Sequence, residues 1–413
     1  MVSHTSVSET PFLSWLSTYS SPWTRQYCAY VLKKATTITL RRNSIPVSYI
    51  SWWASSLRRW MLSDMVGLRK CVVPAYPTHS PPAPHGPGHE ATGLGGVRIR
   101  FLAALMLPPR RLGWIGLGAM GWPMAQQLLF KNPAATFYIY DVDRTLLVEF
   151  AQSAPDRVKI AANATEVATK ADWVFTIVPE GRHVRQVYLA EGTGILAAEN
   201  LAGKMFIDCS TIDIETSLDV GAAVITAGAD FIDAPVSGGT AGAAKGAITF
   251  MVGIAADDAR LPILATVLSM VGSSMNAMGG KGLGLAAKLS NNYLSGCIAI
   301  ATAEAMSMGM KLGIDPKILS ATFDKGTGAN WVNRSMNPVP GVCPEAATSN
   351  GYVGGFKVEL MEKDMRLATQ AARQVGAKLV LGEAAVSAYA QTASDPDFRG
   401  KDSRVVYQWL NKA

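Results

Sequence analysis

The chain has 413 residues, 49% of them hydrophobic and 17% charged, which is enough apolar material for two packed cores rather than one, so two domains are expected. Its formal charge of +7 is uneven: residues 1–110 carry 12 Lys and Arg against 3 acids, whereas residues 111–413 carry 26 against 28. A basic excess confined to one end, without heptads or an RNA-binding signature, argues against nucleic acid as a partner of the nearly neutral body.

Residues 1–110 hold half of the 22 prolines and half of the 10 tryptophans. They show no sustained helical or strand period, and the passage from Pro74 to Pro87 is proline-rich. This head reads as a disordered N-terminal extension rather than a folded domain. Its Arg and Ser content and scarcity of acids fit an organelle transit segment, which predicts import into the mitochondrial matrix; the other reading is translated sequence outside the mature protein, which would leave the body cytoplasmic. The apolar run Phe101 to Leu107 falls far short of the roughly 18 residues a membrane span needs, so a soluble protein with no membrane partner is expected. Five cysteines (Cys28, Cys71, Cys209, Cys297, Cys343) without a Cys-x-x-Cys spacing point to neither a disulfide framework nor a metal site. Of the five histidines only His183 lies in the body, so proton chemistry there has to lean on another residue type.

The body begins with an apolar strand, Leu112 to Ile115, running straight into Gly116-Leu117-Gly118-Ala119-Met120-Gly121. This is G-x-G-x-x-G, a weak signal alone but a specific one in context: a helical stretch follows from Met120 to Phe130, and a second apolar strand, Thr136 to Tyr140, ends in Asp141 about 20 residues after the last glycine. Gly116 permits the tight turn, Gly118 the approach of a pyrophosphate, and Gly121 close helix–strand packing, while the helix N-terminus offers unpaired N–H groups to phosphates. Asp141 is placed to accept from adenosine ribose hydroxyls and to repel a 2′-phosphate, which favours NAD; Arg144 nearby is the feature that would favour NADP. Two further strands, Trp173 to Val178 and Met205 to Ile207, end in Val178-Pro179 and in Asp208-Cys209-Ser210-Thr211. Strand ends in a doubly wound sheet face the cofactor crevice, so Thr211 is a candidate contact there, and His183 either brushes the cofactor or faces solvent at a helix start.

Phe231 to Asp233 reads as the last strand of the sheet. The Gly-rich loop Ala234 to Thr240 beyond it, with Ser237, Gly238 and Gly239, presents backbone N–H groups suited to a carboxylate, though an ordinary turn has the same composition. A long, mostly apolar helix from about Leu285 to Gly313 follows, and Lys288 and Asn292 share one of its faces at i and i+4. Desolvation would lower the lysine's pKa and fit it for proton transfer; a snorkelling lysine and an interhelix asparagine would look the same. Since the nucleotide site implies hydride transfer, Lys288 is the best candidate to take the proton. Asp315-Pro316 marks the start of another helix.

Together the segments Gly113–Gly121, Asp233–Gly239, Gly282–Asn292, Asn337–Val342 and Gly354–Asp364 resemble the β-hydroxyacid dehydrogenase family, nearest to its 3-hydroxyisobutyrate-oxidising branch, over about Arg111 to Leu410. The resemblance implies an α/β Rossmann domain (residues 111–281) followed by an all-helical domain for substrate and oligomerisation (residues 282–413), joined by a long interdomain helix. It also implies NAD as cofactor, a small 3-hydroxy acid as substrate, oxidation to methylmalonate semialdehyde in valine breakdown, no metal, and a homodimer or homotetramer. In that scheme Lys288 is the acid/base, Ser237, Gly238, Gly239 and Asn292 hold the substrate, and Lys363 closes the cofactor site alongside Val178, Pro179, His183 and Thr211. A semialdehyde reductase using NADPH, on tartronate, glyoxylate or succinate semialdehyde, is the alternative enzyme. A non-catalytic binding module is the alternative of another class, expected to lack the lysine. Cys209 stands where the family commonly has serine.

Overall fold

The computed structural model describes residues 108–412. The basic head, its proline-rich passage and the run from Phe101 to Leu107 lie outside the described residues.

Six parallel strands form the main sheet: β1 (Arg111–Ile115), β2 (Thr136–Tyr140), β3 (Val158–Ile160), β4 (Trp173–Thr176), β5 (Met205–Asp208) and β6 (Asp230–Asp233), in the order β3-β2-β1-β4-β5-β6. Strands so rich in Val, Ile, Phe and Trp suit a sheet covered on both faces. Alternate side chains do serve opposite cores: Trp114, Phe175, Ile207 and Ile232 face one cluster, and Ile115, Val174, Phe206 and Phe231 the other. Trp114 pairs across the sheet with Ile139 and Phe175 and stacks on the Phe175 ring. The helices α1 (Gly121–Lys131), α2 (Arg144–Gln152), α3 (Ala164–Lys170), α4 (Gly181–Leu189) and α5 (Ile214–Thr226) connect successive strands. Because the chain leaves β3 on one side and returns as β4 on the other side of β1, the order reverses between β1 and β4, and a crevice opens at their carboxyl ends.

β6 is the edge of this sheet, but three more strands follow that the sequence did not reveal. The Ser237 segment, expected as a loop, is β7 (Val236–Ser237); it pairs antiparallel with β8 (Ile248–Val252), which pairs in parallel with β9 (Gly272–Ala277). The short helices α6 (Gly239–Ala244) and α7 (Leu261–Leu268) complete this small layer.

The long helix, α8 (Leu283–Lys311), has 29 residues and so runs about 43 Å. Gly313 at φ +96° ends it, and Asp315 caps α9 (Pro316–Lys325) through the amides of Lys317 and Ile318. After α10 (Trp331–Met336), the helices α11 (Val358–Gln374), α12 (Gly382–Ser394) and α13 (Val406–Leu410) pack around the distal part of α8 through Ala303, Met361, Met365, Tyr389 and Val406. Among the described residues no helix is long and apolar enough to cross a membrane.

Candidate active site

The glycine loop leaves β1 at the reversal point, and its three glycines do different things. A Cβ on Gly116, whose φ is +97°, would lie 2.1 Å from the Ile177 carbonyl oxygen, and one on Gly121 would lie 2.0 Å from that of Gly116, so both are required by packing. A Cβ on Gly118 would meet nothing within 4 Å; this glycine instead keeps a space clear. The Trp114 indole donates to the Gly116 carbonyl at 2.9 Å and steadies the turn. α1 begins with neither a capping side chain nor an acidic residue in its first turn, leaving the positive end of its dipole open to an anion.

Asp141, at the end of β2, accepts from the amides of Leu117 (2.6 Å) and Asp143 (2.8 Å). Leu117, grouped with the nucleotide contacts at the sequence level, is buried at 1% exposure and does not line the cleft. Its side chain fills the core and its amide donates to Asp141. Arg144 is exposed on the first turn of α2.

The facing wall comes from the exits of β4 and β5. The Val178 amide donates to Ser210 Oγ at 2.9 Å, Ser210 Oγ donates to Asp208 Oδ1 at 2.7 Å, and Thr176 Oγ1 donates to the same oxygen at 2.7 Å. Burial pushes the Asp208 carboxyl up to about 6 despite these bonds. His183 sits in the first turn of α4, part-buried, with Nδ1 sealed from water and without a partner. From α11 the Lys363 ammonium reaches across to both exits, donating to the carbonyls of Pro179 (3.0 Å) and Thr211, and pairs with Asp364 Oδ1 at 3.2 Å. Two of its donors thus go to backbone carbonyls of the facing wall.

Lys288 lies on α8 at 7% exposure and Asn292, one turn on, at 6%. Burial pulls the Lys288 ammonium down from 10.5 to about 8, with Asp364 opposing and Lys363 assisting. The Asn292 amide nitrogen donates to Asp364 Oδ2 at 2.6 Å. Asp364, only 1% exposed, therefore links Lys363, Asn292 and the field at Lys288. The sequence reading missed this residue; its signal was an acid beside Lys363 in an otherwise amphipathic helix.

One cleft of about 1360 Å³ takes in Gly116, Gly118, Ala119, Met120, Gly121 and Asp141 on its nucleotide side, Val178, Pro179, His183, Thr211 and Lys363 on the facing wall, and Ser237, Gly238, Gly239, Lys288 and Asn292 on its third side. Gly238 and Gly239, at φ +135° and +65°, turn the chain from β7 into α6. Open space over Gly118, an uncapped helix start and an acid at the end of β2 suit a dinucleotide. The buried amine beside them suits proton transfer. Among the described residues no group of His, Cys, Asp and Glu could hold a metal ion.

Comparison with known proteins agrees with this chemistry. Residues 111–280 match the family described as the NAD binding domain of 6-phosphogluconate dehydrogenase, and residues 282–410 that described as NAD-binding of NADP-dependent 3-hydroxyisobutyrate dehydrogenase. The mitochondrial 3-hydroxyisobutyrate dehydrogenase of Mus musculus is 37% identical over 301 residues, 73% of this chain and 87% of that protein. The 3-hydroxyisobutyrate dehydrogenase of Pseudomonas aeruginosa is 39% identical over 294 residues, 70% of this chain and 95% of that one. The solved structure of Mycobacterium tuberculosis 3-hydroxyisobutyrate dehydrogenase with L-serine superposes with a TM-score of 0.67 at 33% identity, over 74% of this chain and all of that one. A Rossmann sheet leading into a helical layer, with two family matches and this degree of identity, places the chain in the 3-hydroxyisobutyrate dehydrogenase branch of the NAD-dependent β-hydroxyacid dehydrogenase family.

Proposed function

We propose that the chain oxidises 3-hydroxyisobutyrate to methylmalonate semialdehyde with NAD, a step of valine catabolism, with Lys288 as general base. The observation that carries the reading is the buried Lys288 amine opening into the same cleft as the glycine loop and the Ser237 loop. The substrate carboxylate is held by the backbone N–H groups around Ser237, Gly238 and Gly239 and by Asn292. Lys288, neutral, takes the hydroxyl proton as the carbonyl forms. The chemistry a bound nicotinamide supplies is acceptance of the hydride leaving the same carbon. Holding both reactants in one cleft supplies the orientation. Asp364 orients Asn292, and Lys363 holds the Pro179 and Thr211 walls together.

The Asp141 carboxylate, fixed by two backbone amides, favours NAD over NADP, and the presence of Lys288 argues against a non-catalytic module. The division we propose is a nucleotide-binding domain over residues 111–281 and a helical domain over residues 282–413. Exposed apolar residues on α8, α9 and the turn between them, among them Met308, Leu312 and Ile318, support a homodimer or homotetramer. Relatives named as mitochondrial and the basic head support the mitochondrial matrix.

The test is a panel of 3-hydroxy acids and semialdehydes with NAD(H) and NADP(H), run on the wild type and Lys288→Ala. Turnover of 3-hydroxyisobutyrate with NAD and a loss of about 10²–10⁴-fold in the variant are expected; near-normal turnover without the lysine would end the mechanism.

A further inference from the structure

We propose that Asp233 is a positioning residue for this reaction, its carboxylate fixing the start of the long helix α8 and thereby the place of the Lys288 amine relative to the Ser237 loop. The inference rests on the role of Lys288 given above but concerns a residue that does not line the cleft.

α8 begins without a cap of its own: Gly282, at φ +75°, precedes it, and no local side chain accepts from its first amides. The cap comes from a strand end 49 residues earlier. Asp233 Oδ1 accepts from the Gly282 amide at 2.9 Å and Oδ2 from the Leu285 amide at 3.0 Å. Both oxygens are thus used on two successive points of the first turn, so the carboxylate fixes the helix in rotation as well as along its axis. Its charge also complements the positive end of a 29-residue helix. Lys288 follows Leu285 by three residues and lies on the next turn.

The neighbourhood is built tightly around this carboxylate. A Cβ on Gly253 would lie 1.9 Å from Asp233 Oδ1, and one on Gly284 would lie 2.8 Å from Oδ2 and 2.4 Å from the Met251 carbonyl oxygen. The Asp233 carbonyl accepts from the Gly253 amide at 2.8 Å, so the strand end cannot swing away. Three residues beyond Asp233 the chain enters β7 and the Ser237 loop. One side chain therefore ties the loop assigned to the substrate to the helix that carries the amine, at 2% exposure and without lining the cleft.

The experiment is Asp233→Asn in the full chain, with Gly284→Ala as a second variant that presses on the same carboxylate from the helix side. Asn retains one acceptor and turns an N–H₂ toward an amide donor, so one anchor is lost. The expected result is a kcat lower by about tenfold to a hundredfold with the NADH dissociation constant, read by quenching of NADH fluorescence, changed less than about twofold. A second readout does not depend on substrate: the pH at which Lys288 becomes reactive, measured by competitive reductive methylation with peptide mass spectrometry. That midpoint moves upward in both variants as water reaches the amine. Unchanged kcat with an unmoved Lys288 midpoint in either folded variant overturns the proposal, as does parallel loss of NADH binding and turnover. If wild-type Lys288 titrates as described but 3-hydroxyisobutyrate is not turned over, the substrate assignment fails while the shift of the midpoint still decides the role of Asp233.

Discussion

The lowered pKa of Lys288 makes the pH dependence of the hydride-transfer step a sharp test of the mechanism. As a base, Lys288 works only when neutral, so oxidation should rise with pH through a midpoint of about 8, and the reverse reduction, which needs the ammonium, should fall through the same midpoint. At pH 7 a group titrating near 8 is neutral about a tenth of the time, whereas an ordinary lysine at 10.5 is neutral about once in 3,000. Burial therefore raises the working fraction on the order of 300-fold. Asp364 opposes this shift. Asp364→Asn removes the buried carboxylate whose charge favours the Lys288 ammonium and leaves Lys363 unopposed beside it, so the midpoint should move to lower pH, by about one pH unit. The assay is single-turnover formation of NADH absorbance from pH 6 to 10, which keeps product release from hiding the chemical step. A midpoint that stays fixed, or moves to higher pH, would show that the carboxylate does not act on the amine and would refute the reasoning.

Three further outcomes follow from the same geometry. Gly118→Ala should leave the melting temperature unchanged while weakening NADH binding, because its methyl enters open space over the loop, whereas Gly121→Ala should lower stability by about 1–3 kcal/mol because its methyl meets the Gly116 carbonyl; equal effects on melting would contradict the division of labour among the glycines. Asp141→Asn should raise kcat/KM for NADP relative to NAD on the order of tenfold, since the repulsion of a 2′-phosphate is removed; an unchanged ratio would show that Arg144 or another group sets the preference. Asp208, raised from 3.8 to about 6 by burial, binds its proton more tightly in the folded state than in the unfolded one. Its contribution is full below about pH 4 and is lost as pH rises through 6, a swing of roughly 3 kcal/mol. Asp208→Asn lacks that swing, so its melting temperature relative to wild type should climb between pH 4 and 7; a flat difference would count against a buried, ionising Asp208.

Much of the fold was legible because its signals are local. The glycine loop announces itself by spacing, by the strand before it and by the acid after β2, and each follows from backbone geometry that a short window of sequence displays. Lys288 and Asn292 were legible for a similar reason, since two polar residues one turn apart stand out in an apolar helix. The small second sheet was not. β7 has only two residues, and β9, Gly-Ser-Ser-Met-Asn-Ala, has little apolar alternation, so its strand character comes from pairing with β8 rather than from its own composition. That the Leu117 side chain turns into the core was not legible, because a motif fixes where the backbone goes and not which intervening side chain turns inward.

The long-range contacts that organise the site, including those of Lys363, which was itself named from the family resemblance, escaped for a different reason. Asp364 meets Asn292 across 72 residues of sequence, Asp233 meets Gly282 across 49, and Lys363 meets Thr211 across 152. None of these spacings belongs to a helix or strand period, so no pattern within one element could pair them. Burial explains why they matter. A carboxylate at 1% or 2% exposure loses its hydration and must be repaid by hydrogen bonds or a cation, and those partners are found only where the sheet, the long helix and the helical layer converge. The groups assigned to the chemistry can thus be read from their own neighbourhoods, whereas the acids that pack against them become visible only once distant segments meet.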